Sequence, residues 1–207
     1  MSIPVRNYLP EKEPGRPERH NSDHSTRSQG YIQLTRKCNR RCAFCSNPRV
    51  DDALSFEEAK KQIDNYIGNG VNEVIFSGGE PTLNDSIFKA ISYCRGKGLE
   101  CRIITNGEKL ADAGYAKKLA DAGLENINIS LYSHRRDVQD RLTGTSGSHE
   151  KTMLAIENAS THIAEPTINI TINKLNCEDL DQTAKFVTAR FPRVKHFVFN
   201  NLDPTGR

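Results

Sequence analysis

Three cysteines crowd into one short stretch, Cys38-Asn39-Arg40-Arg41-Cys42-Ala43-Phe44-Cys45. Thiolates at these spacings on a single loop can wrap an iron–sulfur cluster at three corners and leave its last iron without a protein ligand. A structural zinc site calls for a closed set of four ligands, commonly from two paired arms. No second pair of that kind follows. Cys94 reads as helix core, Cys101 as a strand start and Cys177 as a helix start, each bland by default because cysteine also serves as a small hydrophobe. Three ligands with one open position is a catalytic arrangement more than a structural one. A second stretch, Ser77-Gly78-Gly79-Glu80-Pro81, joins two glycines that let backbone approach a ligand to a glutamate able to accept hydrogen bonds from an ammonium group. Taken alone, it is also an ordinary turn.

Both stretches need a scaffold that brings them together. From Tyr31 onward, strand-like and helix-like patterns alternate. YIQLT (31–35), EVIFSG (73–78), CRIIT (101–105), NINISLY (126–132), TINITIN (167–173) and HFVFN (196–200) have the length and side chains of strands. Ser55-Phe56-Glu57-Glu58 has capping-box spacing and opens a helix with the apolar stripe Ala59, Ile63, Tyr66 and Ile67. Ile87, Phe88, Ile91 and Cys94 mark a second helix. Others fall near 112–122, 149–163 (Met153, Ile156, Ala159 and Ile163 inward) and 178–190. Six strands with five intervening helices predict an α/β fold with a parallel sheet. Right-handed crossovers then set every strand's C-terminal end on one rim. The cysteine loop leaves the first strand and the GGEP turn leaves the second, so both land on that rim. A full eight-stranded barrel takes about 250 residues. This chain has 207, which suits a partial (β/α)6 TIM-like barrel with its last helix missing after Asn201.

Composition narrows the function classes. Residues 1–29 contain Pro4, Pro10, Pro14 and Pro17 and few apolar side chains, so a disordered or loosely docked arm precedes a core domain at 30–207. His20 and His24 in that arm read as solvated tail histidines rather than a metal pair. The formal net charge, 29 minus 26 or +3, carries no signal for nucleic acid or an anionic membrane. No stretch approaches the roughly 20 apolar residues of a membrane span, and the first residues lack the apolar core of a signal peptide. Clustered cysteines without a secretion signal point to a reducing, cytoplasmic setting. Arg36, Lys37, Arg40, Arg41 and Arg49 surround the cysteines. They read first as solvated surface, with pairing to an anionic cofactor group, or a raised cluster potential, as the functional alternative. The long connection Tyr132–Gly147, with His134, Arg135, Arg136, Asp137, Asp140 and Arg141, holds either a substrate contact or a short amphipathic helix at 135–142.

Over residues 31–207 the chain resembles the radical S-adenosylmethionine (SAM) enzymes. The likeness rests on the CxxxCxxC loop with Phe44, the GGEP turn, the Thr105-Asn106-Gly107 exit of strand three and Ser130 in NISLY. It implies a [4Fe–4S] cluster on Cys38, Cys42 and Cys45, with SAM on the open iron and reductive cleavage to a 5′-deoxyadenosyl radical that takes hydrogen from a substrate. It also implies that Gly78, Gly79 and Glu80 meet the SAM amino group. Ser130 would reach the SAM ribose or carboxylate, Asn173 is a further candidate, and Thr105 and Asn106 line the rim. LTRKCNRRCAFCSNP (34–48), CRIITNGEKL (101–110) and DRLTGTSGSHEKTMLAIENA (140–159) look like the branch of molybdenum-cofactor synthase and the SPASM peptide maturases. In that branch NLDPTGR would sit just before a cysteine-rich extension that this chain does not carry. The implied partners are a small-molecule or peptide substrate and a flavodoxin- or ferredoxin-type reductase. Two other readings stand beside it: a glycyl-radical activase, and a non-catalytic iron–sulfur or zinc module.

Overall fold

Each strand sets apolar side chains at every second position on one face, and this parity decides which face of the sheet the helices cover. In the computed structural model, which describes residues 28–47, 50–163 and 166–202, the strands are β1 (Gln29–Thr35), β2 (Glu73–Gly78), β3 (Glu100–Thr105), β4 (Asn126–Ser130), β5 (Thr167–Ile172) and β6 (His196–Asn201). They form one sheet in sequential order, every pair parallel. The helices between them are α1 (Phe56–Gly68), α2 (Ser86–Gly96), α3 (Ala113–Asp121), α4 (Arg136–Thr143), α5 (Ser148–His162) and α6 (Leu180–Arg190). Ile32 and Leu34, Val74 and Phe76, Ile103, Ile127 and Ile129, and Ile168 and Ile170 are buried in one core with residues of these helices. Right-handed connections in a sequential sheet put all helices on that one side. The other side is left as the concave wall of an incomplete barrel.

Local signals account for the element ends. Ser55 accepts from the Glu58 amide while the Glu58 side chain accepts from the Ser55 amide, closing the capping box that starts α1. Tyr66 lays its ring over Gly30, where an added Cβ would lie 2.6 Å from the ring, and its hydroxyl donates to the Tyr31 carbonyl at 2.7 Å. That ring covers the start of β1, and Ile67, expected in the buried stripe, is turned outward at 37% exposure. The long connection after β4 contains a true helix, α4, so the strands are separated by six α-helices rather than five. Among the described residues no helix follows β6, and Phe199 on its helix-side face remains 46% exposed. Residues 1–27 of the proline-rich arm, with His20 and His24, lie outside the described residues, as do Arg49 and residues 203–207, while Gln29, expected at the end of the arm, opens β1.

Candidate functional site

The cysteine loop is held from two sides by backbone alone. As β1 and β2 end, Gly79 N donates to the Thr35 carbonyl and Glu80 N to the Lys37 carbonyl, both at 2.8 Å. A Cβ on Gly79 would lie 2.2 Å from the Lys37 oxygen and 2.4 Å from the Arg36 oxygen; one on Gly78 (φ +133°) would lie 2.1 Å from the Thr35 oxygen. Both glycines are therefore required by the contact between the two loops, independently of any ligand. On the other side, Arg41 N donates to the Thr143 carbonyl (3.0 Å) and Ala43 N to the Leu142 carbonyl (2.9 Å), where α4 ends. Gly144, in the left-handed region at φ +61°, passes so close to Arg41 that a Cβ would lie 2.7 Å from its oxygen. The helix in the long connection thus buttresses the cysteine loop. Its charged residues Arg136 and Arg141 are exposed, as the amphipathic alternative anticipates.

Glu80 ties three strand exits together. Its carboxylate is 1% exposed. Oε1 accepts from Thr82 N (3.1 Å), Thr82 Oγ1 (2.6 Å) and Thr105 Oγ1 (2.7 Å), and Oε2 accepts from Asn106 N (2.7 Å). These donors satisfy a buried carboxylate that would otherwise be costly. They also join the GGEP turn to the Thr-Asn-Gly exit of β3. Asn106 in turn donates through Nδ2 to Asn39 Oδ1 at 2.7 Å and faces Cys38 Sγ at 3.9 Å. Thr105 and Asn106 therefore act on the cysteine loop through Glu80 and Asn39, a role the sequence motif alone does not reveal.

The three thiols lie near enough to act on one another. Cys38 and Cys45 are exposed and Cys42 half-buried. Burial pushes the Cys38 thiol up, with added repulsion from Glu80 and Cys45. Burial, then the charges of Cys38 and Cys45, raises Cys42 to about 11, against the pull of Arg40. Among the described residues, no three His, Cys, Asp or Glu side chains gather tightly enough for a single metal ion. Phe44 packs edge-on against Tyr132 at 4.8 Å between centroids. Tyr132 joins Val138 and Leu142 in a small apolar cluster against which Cys42 and Phe44 rest, and its phenol also engages Ser130 and Cys42. Cys94 and Cys101 are buried elsewhere in the core, and Cys177 is exposed.

Arg40 departs from the solvated-surface expectation. Its side chain is fully buried beneath the loop. Nη2 donates to Thr152 Oγ1 on α5, 112 residues away, at 3.1 Å. Nε lies 3.6 Å from Glu108 Oε2, an ion pair without a hydrogen bond, and Nε and Nη1 have no hydrogen-bond partner. A position between two cysteines gives no sign of this, because the partners lie on α5 and beyond β3. Lys37 and Arg41 are exposed as expected, and Arg36 is half-buried.

A cavity of about 450 Å³ opens beside the thiols, lined by Phe44, Cys45, Gly78, Thr171, Asn200 and Leu202 among others. Ser130 is buried at the end of β4. Asn173, leaving β5, spends its side chain locally: Oδ1 accepts from Leu175 N (2.9 Å) and Nδ2 donates to the Thr171 carbonyl (3.1 Å).

Comparison with known proteins places this arrangement. The family model described as the Radical SAM superfamily matches residues 32–187. The chain is 32% identical over 178 residues to the Fe-coproporphyrin III synthase of Methanosarcina barkeri, covering 84% of this chain and 44% of that protein. It is 35% identical over 124 residues to the PqqA peptide cyclase of Rhodopseudomonas palustris, covering 58% of this chain and 33% of that protein. The crystal structure of Streptococcus suis SuiB bound to S-adenosylmethionine superposes with a TM-score of 0.70 at 20% identity, over 86% of this chain and 40% of that one. The chain thus spans less than half the length of these relatives. Its match over the whole stretch from β1 into α6, with the cysteine loop and GGEP turn on the same rim, shows that it belongs to the radical SAM superfamily.

Proposed function

We propose that this chain is the core of a radical SAM enzyme, with Cys38, Cys42 and Cys45 holding a [4Fe–4S] cluster and the adjoining cavity taking SAM. The observation that carries it is the donor set: three cysteines at separate positions of one loop, near enough that each would raise the cost of ionising its neighbour, on the rim that also carries the GGEP turn. A cubane needs its thiolates at separate corners, so these residues fit it. The buried Arg40 guanidinium beside them suits an anionic cluster. When bound, the cluster and SAM would supply reductive cleavage to a 5′-deoxyadenosyl radical that removes a substrate hydrogen atom.

The chain's own residues hold and shield that chemistry. Gly78 borders the cavity, and with Gly79 and Glu80 it would form the edge on which the SAM amino group rests. With its carboxylate held by Thr82, Thr105 and Asn106, Glu80 would act mainly by fixing the turn that faces the amino group. Phe44 and Gly78 line the space that would take the adenosyl part, and Ser130, buried at the end of β4, would reach its ribose or carboxylate. Thr105 and Asn106 fix the rim, and Asn173 would have to leave its local hydrogen bonds to contribute. The substrate is a small molecule or peptide, as the names of the porphyrin and peptide relatives suggest, and a flavodoxin- or ferredoxin-type reductase supplies the electron.

Anaerobic reconstitution tests this. About four irons per chain are expected, with a paramagnetic spectrum that changes when SAM is added. Cys42→Ala should abolish both, whereas Cys94→Ala should keep both and lose about 1–2 kcal/mol of packing. One zinc without a SAM response, or equal losses from the two variants, would overturn the reading.

A further inference from the structure

The wall facing away from the helices carries Ile75 on β2 and Ile104 on β3, but many of its other positions are polar where a closed barrel would be packed with Val, Ile and Leu. Glu73 on β2, Arg102 on β3, Asn128 on β4, Asn169 on β5 and Asn200 on β6 all have the parity opposite to the buried core. Within this wall one group is held ready rather than used up. Glu73, fully buried, accepts from Gln29 Nε2 at 2.6 Å on Oε2. Its Oε1 accepts from Arg102 Nε at 2.9 Å and lies 2.9 Å from Nη2 in an ion pair. Arg102 Nη1 donates to Asn128 Oδ1 at 3.2 Å. The guanidinium is thereby gripped from both neighbouring strands, with two of its five N–H donors hydrogen-bonded and Nη2 ion-paired to the same carboxylate. The side chain stands on the face opposite the helix-side core and keeps 21% of its surface exposed.

We propose that Arg102 anchors a carboxylate group of the substrate inside the barrel, beneath the cofactor rim. This rests on the radical SAM reading only in taking the concave face as the substrate side. A planar guanidinium with its remaining donors pre-oriented matches a carboxylate's two oxygens. Glu73 cancels the long-range field of the cation, so recognition comes from directed hydrogen bonds rather than from attraction at a distance. Arg102 lies three residues before Thr105, which at ~3.3 Å per residue puts the anchor about 10 Å below the rim. The substrate class is therefore a carboxylate-bearing molecule whose reacting carbon lies about that far from its acidic group.

The test uses the whole chain with nitrogen-15-labelled arginine and two small probes, N-acetyl-glutamate N-methylamide and its neutral glutamine isostere. The glutamate probe should shift the Arg102 Nε resonance and bind at least about tenfold tighter than the glutamine probe, the size of one charge-assisted hydrogen bond. Arg102→Gln alone strands the buried Glu73 charge and is expected to unfold in part. The decisive variant is therefore Glu73→Gln/Arg102→Gln, checked by its melting curve, in which the preference should vanish. Equal binding of the two probes to the native chain, or a preference that survives in the double variant, overturns the proposal. Iron loading and the SAM response are read on the same samples. If they are intact while the preference is absent, only the Arg102 anchor fails. If they are lost while the preference is present, the radical reading fails and the carboxylate site stands.

Discussion

Gly79→Ala is the sharpest perturbation of the site, because the structure puts a number on the collision. The added Cβ would lie 2.2 Å from the Lys37 carbonyl oxygen and 2.4 Å from that of Arg36. Ordinary carbon–oxygen contact is roughly 1 Å longer, and both obstacles are backbone, which cannot rotate aside. The loops must therefore separate, breaking the 2.8 Å hydrogen bonds from Gly79 N and Glu80 N that zip them together. Overpacking typically costs about 1–3 kcal/mol. In a chain of this size that is a fall in melting temperature of roughly 2–12 °C. Because the separated strand of backbone is the one that leads into Cys38, iron loading should fall with stability. The matched control is Gly96→Ala at the end of α2, where an added Cβ meets nothing within 4 Å; it should be neutral or slightly stabilising. The assay is thermal unfolding beside iron content after reconstitution. If Gly79→Ala melts within about 0.5 kcal/mol of the parent and loads iron fully, the argument that loop-on-loop contact dictates the glycine is wrong.

Glu80→Gln replaces an oxygen by an NH2 group among four donors, so one buried donor is left facing another. A loss of about 1–3 kcal/mol in urea unfolding is expected, and an unchanged midpoint would contradict the knot assigned to it. The pH dependence has a sign too. Burial, against the helping hydrogen bond to the His134 carbonyl, holds the His149 imidazole below its usual range. The unfolded chain then binds the proton more readily, so this contribution is fully present above about pH 6.5 and is lost as pH falls through the depressed folded value. His149→Gln should flatten the stability profile between neutral pH and about pH 5; an unaltered slope would refute the assignment.

Strand and helix identity was legible because each depends on parity and caps within a dozen residues. EVIFSG spans the observed β2, and the Ser55–Glu58 capping box starts α1 as read. The three-cysteine loop, the GGEP turn and their common rim followed from motif and topology together. Ile67 escaped that logic because a ring from Tyr66 fills the space beside Gly30, a contact no periodicity predicts.

Residue chemistry and local spacing therefore determined which groups could serve as ligands and where along the chain they lie. What surrounds those groups was decided only by the fold, since burial and pairing depend on partners far apart in sequence. Glu80 meets Thr105 and Asn106 across 25 and 26 residues. Arg40 is drawn out of solvent by a hydroxyl 112 positions on. Arg102 is aimed by a carboxylate 29 residues earlier and an amide 26 later. The chain declares its donors one by one, and only parallel strands side by side convert them into a rim, a clamp and an anchor.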